Sequence, residues 1–144
     1  MIINVNNEEE TREFGEKIGQ QLKGGQVVEL VGDVGSGKTT LTKSIAVGLG
    51  VKGIVSSPSF SICQQYECRD NLSLSHYDFY RLSDAGIMSD ELAESVGRND
   101  TVTIIEWGEV VSDILPENKI TINISSSSDS SRIIDISDNI GLSL

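Results

Sequence analysis

Gly32-Asp33-Val34-Gly35-Ser36-Gly37-Lys38-Thr39 matches the pattern G-x-x-x-x-G-K-[ST] at every fixed place. That spacing suits a polyphosphate. Glycines at 32, 35 and 37 admit backbone angles closed to other residues, so successive N–H groups can turn inward around one anion. A helix starting after them points unpaired donors and partial positive charge at the same anion. Lys38 then reaches the β- and γ-phosphates, and the Thr39 hydroxyl ligates Mg²⁺. So read, the chain binds ATP or GTP with Mg²⁺ and hydrolyses it. No guanine-recognising N-K-x-D is present, which favours adenine.

Such a loop needs an acidic partner, usually at the end of another strand, to hold Mg²⁺ or orient the attacking water. Two carboxylates qualify. Glu106 closes the run Thr-Val-Thr-Ile-Ile-Glu and opens Glu-Trp-Gly-Glu; Asp78 lies within His76-Tyr77-Asp78-Phe79-Tyr80-Arg81. The alternative for each is a solvated residue at a strand end. Trp107 either borders the nucleotide or anchors a loop. His76, the only histidine, reads as a hydrogen-bonded structural residue before it reads as a catalytic base. Ser56-Ser57-Pro58-Ser59-Phe60 offers hydroxyls around a stiff proline, suited to sensing a γ-phosphate or to a plain loop. Cys63 and Cys68, four residues apart with no second pair, make a poor zinc pattern and read as reduced structural thiols.

The elements that must position these residues follow from periodicity. Ile2 to Val5 is a short strand. Asn7 as N-cap, Glu10 three residues later, and Phe14, Ile18 and Leu22 on one face predict a helix stopped by Gly24-Gly25. Val27 to Val31 is an apolar strand leading into the glycine loop; Leu41, Ile45 and Leu49 mark the helix after it. Phe60 to Tyr66 and Leu72 to Tyr77 read as strands, Ser89 to Val96 as a short helix, Thr101 to Glu106 as a β-branched strand. A short helix is predicted over Glu109 to Leu115, ending before Pro116. Lys119 to Ile124 and Arg132 to Ile136 alternate as strands across the turn Ser125 to Ser131. Residues 137–144 read as a loose tail.

The 144 residues suit one domain over 1–144, and no internal repeat is visible. A net charge of −11 opposes direct attraction to DNA, RNA or anionic lipid, so any role in RNA metabolism is expected to run through a protein partner. The same acidity repels a free triphosphate at long range, which a local anion site with Mg²⁺ must overcome. No apolar stretch approaches the ~20 residues of a membrane span, and the amino terminus lacks a secretory pattern; the expected compartment is the cytoplasm.

Together, Gly-Asp-Val-Gly-Ser-Gly-Lys-Thr-Thr (32–40), Ser-Pro-Ser-Phe (57–60), His-Tyr-Asp-Phe-Tyr-Arg-Leu (76–82) and Ile-Glu-Trp-Gly-Glu (105–109) resemble, in order and spacing, the bacterial tRNA threonylcarbamoyladenosine biosynthesis ATPase family, TsaE (formerly YjeE). The resemblance spans nearly the whole chain. It implies a single P-loop α/β domain with a mixed, mainly parallel central sheet flanked by helices. It also implies slow ATP hydrolysis supporting the TsaB–TsaD pair, which transfers threonylcarbamoyl to N6 of adenosine 37 in tRNAs reading ANN codons. By the same resemblance, Gly35, Ser36, Gly37, Lys38, Thr39 and Thr40 hold the phosphates. Thr39 and Glu106 are the Mg²⁺ residues, Asp78 is a second active-site carboxylate, and Thr11 and Arg132 border the base. The chain departs from the family pattern at Ser59, where threonine is usual, and over Ser83 to Asp100. There Gly86 interrupts an acidic helix and Arg98-Asn99-Asp100 replaces an acidic-glycine turn.

Two other readings compete. A small-molecule kinase generally needs a lid with several arginines; the five here (Arg12, Arg69, Arg81, Arg98, Arg132) are scattered. A nucleotide-dependent adaptor without useful hydrolysis would need the same Lys38, Thr39, Asp78 and Glu106.

Overall fold

A computed structural model of the chain describes residues 1–53, 55, 63–80, 82–84, 86, 88–137 and 141–144. Its elements run β1 (Ile2–Val5), α1 (Glu8–Gln21), β2 (Val27–Val31), α2 (Lys38–Gly48), β3 (Cys63–Glu67), β4 (Ser73–Asp78), α3 (Met88–Val96), β5 (Thr101–Glu106), β6 (Ile120–Ser126) and β7 (Arg132–Ile136). The strands form one sheet in the order β1-β7-β6-β2-β5-β4-β3. The central four (β6, β2, β5, β4) are mutually parallel; β7 and β3 are antiparallel to their neighbours, and β1 runs with the central four. The mixed, mainly parallel α/β sheet expected from the sequence is the one observed.

Central parallel strands are covered on both faces, which is why β5 is buried at all six positions. On one face, Val28, Leu30, Val102, Ile104 and Ile122 meet Phe14, Ile18, Leu41 and Ile45 from α1 and α2. On the other, Val27, Tyr77 and Ile105 meet Leu92 of α3 with Val111 and Leu115. Each wholly buried leucine or isoleucine contributes about 1.5–3 kcal/mol.

The helices α1 and α2 approach backbone to backbone. A Cβ on Gly19 would lie 2.1 Å from the Ile45 carbonyl oxygen, and one on Gly48 2.2 Å from that of Glu16. Neither helix carries a basic residue in its last turn. Arg69 supplies one from the turn between β3 and β4. Its Nη1 donates to the carbonyls of Gly19 (3.1 Å) and Gly48 (2.9 Å), and its Nη2 to those of Gln20 (3.0 Å) and Leu22 (3.0 Å). One guanidinium thus caps two helix C-termini.

At the other end of α1, Asn7 Oδ1 accepts the Glu10 amide at 2.9 Å, as the sequence predicts. Glu10 reaches back to the Asn6 amide (2.8 Å), one residue earlier than a standard capping box.

Three expectations change. The helix expected over Glu109 to Leu115 is a 3-10 turn over Gly108–Val111, because Trp107 enters it in the left-handed region (φ 57°) and the next residues close a tighter coil. Asp78 belongs to β4 rather than following it. The end of the chain is not loose where it is described. Leu142 and Leu144 pack against the core, and the Gln21 side chain both donates to the Ser143 carbonyl (2.8 Å) and accepts its amide (2.6 Å). Of the strand expected from Phe60 to Tyr66, Cys63 onward is β3; its start lies outside the described residues, as does the Ser56–Phe60 segment.

Candidate functional site

The turn from β2 into α2 needs its glycines. Gly35 (φ 80°) and Gly37 (φ 107°) lie in the left-handed region. A Cβ on Gly32 would meet the Ile124 carbonyl oxygen at 2.5 Å. Gly37 is the N-cap of α2, and no side chain among the described residues caps that helix. The first-turn amides of Lys38, Thr39 and Thr40, which have no intrahelical acceptor by geometry, therefore point toward the mouth of the loop. The Ser36 hydroxyl is buried beneath the loop and has no hydrogen-bond partner among the described residues.

Lys38 is itself buried. Its Nζ donates to the carbonyls of Gly32 and Asp33 (2.8 Å to the latter) and lies 4.6 Å from the centroid of the Trp107 ring. Burial pulls the ammonium below the ordinary lysine range, while the carboxylates of Glu106, Asp33 and Asp78 act against that shift.

Asp78 and Glu106 face the loop from the neighbouring strands. The parallel register pairs Asp78 of β4 with Glu106 of β5, and Glu106 with Leu30 of β2, so both acids stand at carboxyl ends of central strands beside the loop. They are held differently. Asp78 Oδ1 accepts the Tyr80 amide at 2.9 Å, whereas Glu106 Oε2 lies 2.6 Å from Nε2 of the buried His76. Burial raises the Asp78 carboxyl above the usual range; the Tyr80 hydrogen bond opposes this and the Glu106 charge adds to it.

A cavity of about 610 Å³ gathers these groups. Its volume is in the range of small-molecule sites. Of the residues singled out in the sequence, Thr11, Gly35, Gly37, Lys38, Thr39, Thr40, Asp78, Glu106, Trp107 and Arg132 line it; the buried Ser36 does not. Thr11 reaches it from α1, its hydroxyl donating to the Asn7 carbonyl at 3.3 Å. Arg132 lies at the wall and also braces the loop. Its Nε donates to the Ser36 carbonyl (2.8 Å), and its Nη1 to those of Ser128 (3.1 Å), Asp129 (3.4 Å) and Ser131 (2.9 Å). The Trp107 indole forms cavity wall and packs on Tyr80, with centroids 4.9 Å apart.

Glu8, Val34, Tyr80, Asp129 and Ser130 also line the cavity and were not anticipated. Val34 and Tyr80 carry a signal in the sequence, lying inside the Gly32–Thr39 loop and the His76–Arg81 run. Asp129 and Ser130 arrive only because the β6–β7 turn folds over the loop.

The lining sets four carboxylates (Glu8, Asp78, Glu106, Asp129) against two cations, Lys38 and Arg132. A polyphosphate would need an added divalent cation to sit beside Asp78 and Glu106. Among the described residues no group of three or more His, Cys, Asp or Glu side chains could hold a metal ion unaided. A cation here would draw on the Thr39 hydroxyl and on ligand oxygens as well, which suits a hard, oxygen-loving ion such as Mg²⁺. The cysteines are not disulfide-bonded and burial raises both thiols, in keeping with structural roles.

The family described as "Threonylcarbamoyl adenosine biosynthesis protein TsaE" matches residues 5–134. A tRNA threonylcarbamoyladenosine biosynthesis protein TsaE of Streptomyces coelicolor is 39% identical over 114 residues, covering 78% of this chain and 77% of the relative. The protein of that name in Treponema pallidum is 36% identical over 128 residues, covering 89% and 93%. A crystal structure of Bacillus subtilis YdiB superimposes with a TM-score of 0.73 at 34% identity, over 93% of this chain and 82% of that one.

Proposed function

We propose that this chain, which belongs to the TsaE family of threonylcarbamoyl adenosine biosynthesis proteins, binds ATP with Mg²⁺ in the cavity and hydrolyses it slowly. In doing so it supports a TsaB–TsaD pair that places threonylcarbamoyl on N6 of adenosine 37 in tRNA. One observation carries the nucleotide reading: the uncapped N-terminus of α2, with Lys38 and Thr39, faces Asp78 and Glu106 across one cavity.

In this reading the amides of Gly35 through Thr40 cradle the phosphates. Lys38 exchanges the carbonyls of Gly32 and Asp33 for β- and γ-phosphate oxygens. Thr39 and Glu106 are the protein's Mg²⁺ ligands, and Asp78 orients the attacking water. Mg²⁺, when bound, neutralises charge on the phosphate oxygens. Thr11, Arg132 and Trp107 bound the nucleotide. Adenine is favoured over guanine. The charge of −11 fits a protein that meets tRNA only through its partners and does not bind DNA. No described helix is long and apolar enough to cross a membrane; the proposed compartment is the cytoplasm.

Calorimetry with Mg-ATP tests the site. Wild type should bind, and Lys38→Ala should bind about 10–100-fold more weakly, the loss of one charge-assisted contact set of about 1.5–3 kcal/mol. No affinity in the wild type at millimolar ligand would end the proposal. Phosphate release with and without the TsaB–TsaD pair tests the rest. Turnover that rises in the assembled complex supports an ATPase; binding with negligible turnover there would leave an adaptor.

A further inference from the structure

The buried pair His76–Glu106 is not accounted for by phosphate binding. His76 is 1% exposed and Glu106 4%. The ring sits on β4 opposite Ile104, two residues before Glu106 on β5, and leans along the strand to bring Nε2 within 2.6 Å of Oε2. Among the described residues its buried Nδ1 has no hydrogen-bond partner. An orphaned lone pair is tolerated in an interior more readily than an orphaned N–H, so the proton belongs on Nε2, donated to the carboxylate.

We propose that His76 is a positioning residue that fixes the Glu106 carboxylate for a divalent cation; this rests on the reading of Glu106 as a metal ligand. Glu106 has Asp78 as its direct cross-strand neighbour, and two like charges so placed repel. Left unheld, the Glu106 side chain would turn away from Asp78 and from the loop. The bond from His76 occupies Oε2; Glu106 lines the cavity, so Oε1 is the oxygen left for a cation, one anchored and one available. Asp78, anchored on the Tyr80 amide, needs no such partner. Outer partners of this kind orient metal ligands, and their removal typically costs 10–100-fold in metal affinity.

The test uses the full chain with Mn²⁺ as the metal probe and the β,γ-imido analogue of ATP. Free Mn²⁺ is followed by electron paramagnetic resonance, and analogue affinity in EDTA by calorimetry. His76→Leu should weaken Mn²⁺ binding about 10–100-fold while leaving metal-free nucleotide affinity within about threefold. His76→Gln, whose amide reaches the depth of Nε2, should restore most of the loss, whereas His76→Asn, whose amide stops at the depth of Nδ1, should not. If His76→Leu does not fold, the Gln and Asn variants decide by themselves.

Equal Mn²⁺ affinity in folded Leu, Asn and wild-type proteins overturns the proposal. So does a loss that tracks melting temperature equally in Gln and Asn. Failure of the wild type to bind the metal–nucleotide pair overturns the nucleotide reading first and this one with it. Normal wild-type binding with indifferent variants overturns this one alone.

Discussion

Gly19→Ala should destabilise the protein even though alanine is the better helix former. A Cβ there would lie 2.1 Å from the Ile45 carbonyl oxygen and 2.9 Å from the Gly48 Cα, where ordinary contact begins at 3.4 Å, so α1 and α2 must part by about an ångström. Alanine recovers about 1 kcal/mol of helix propensity over glycine. Against that stands overpacking of about 1–3 kcal/mol or more, since the obstructing atoms are backbone and cannot rotate away. Parting the helices also stretches the Arg69 bonds to the Gly19 and Gly48 carbonyls, each worth about 1.5–3 kcal/mol if lost outright. The net expectation is a loss of about 2–4 kcal/mol, read in circular dichroism as a melting point lower by about 5–15 °C. Gly48→Ala should act alike, and the double variant should lose less than the two losses added, because helices parted once admit both methyls. Gln20→Ala, on the exposed side of the same turn, is the control and should move stability by no more than about 0.5 kcal/mol. Because Thr11 rides on α1 and Lys38 on α2, nucleotide affinity should weaken along with stability. A Gly19→Ala protein that melts at or above wild type would refute the reasoning.

Further expectations concern the site and its support. Glu106→Ala should lower phosphate release about 10²–10⁴-fold and leave nucleotide affinity within about tenfold; full turnover would transfer the metal role to Asp78 as well. Burial, with help from Glu106, raises the Asp78 carboxyl, so its charged form costs stability. That cost is absent below the ordinary carboxylate value of about 3.9 and grows as pH rises through the raised one. Asp78→Asn should therefore melt above wild type at pH 8, with the gap closing toward pH 4, and equal melting at pH 8 would count against the burial argument. Arg69→Met keeps the stem but removes four hydrogen bonds to helix C-termini. It should cost about 2–4 kcal/mol in denaturant unfolding, less than four separate losses because water takes up carbonyls at the partly exposed helix ends, while leaving nucleotide affinity little changed, because those bonds lie at the far end of α2.

What the sequence makes legible here is what lies within one segment. Gly32 to Thr39 carries its own spacing, and the strand and helix flanking it are each periodic. β5 is a single β-branched run whose final carboxylate is visible by inspection. The turn at Gly108–Val111 misleads because four residues are too few for a period, and the left-handed Trp107 that tightens it has no glycine or asparagine to announce it. Arg69 shows no motif at all: its partners on α1 and α2 lie about 20 to 50 residues away, and nothing in either helix signals a missing C-terminal cation.

The same limit explains His76. Alone in the sequence, it reads as structural before it reads as catalytic, with nothing to say which group it holds. The choice needs the strand order β2-β5-β4, which is not sequential, and a register that sets Asp78 opposite Glu106 and the ring two residues behind them. A shift of one residue would keep His76 and Asp78 on one face and put Glu106 on the other. The two carboxylates and the histidine become one device only through that register. The His76 variants therefore probe the pairing of β4 with β5 as directly as they probe metal binding. Gln and Asn, alike in polarity and differing by one methylene, can separate their effects only if Glu106 stands where the parallel register puts it.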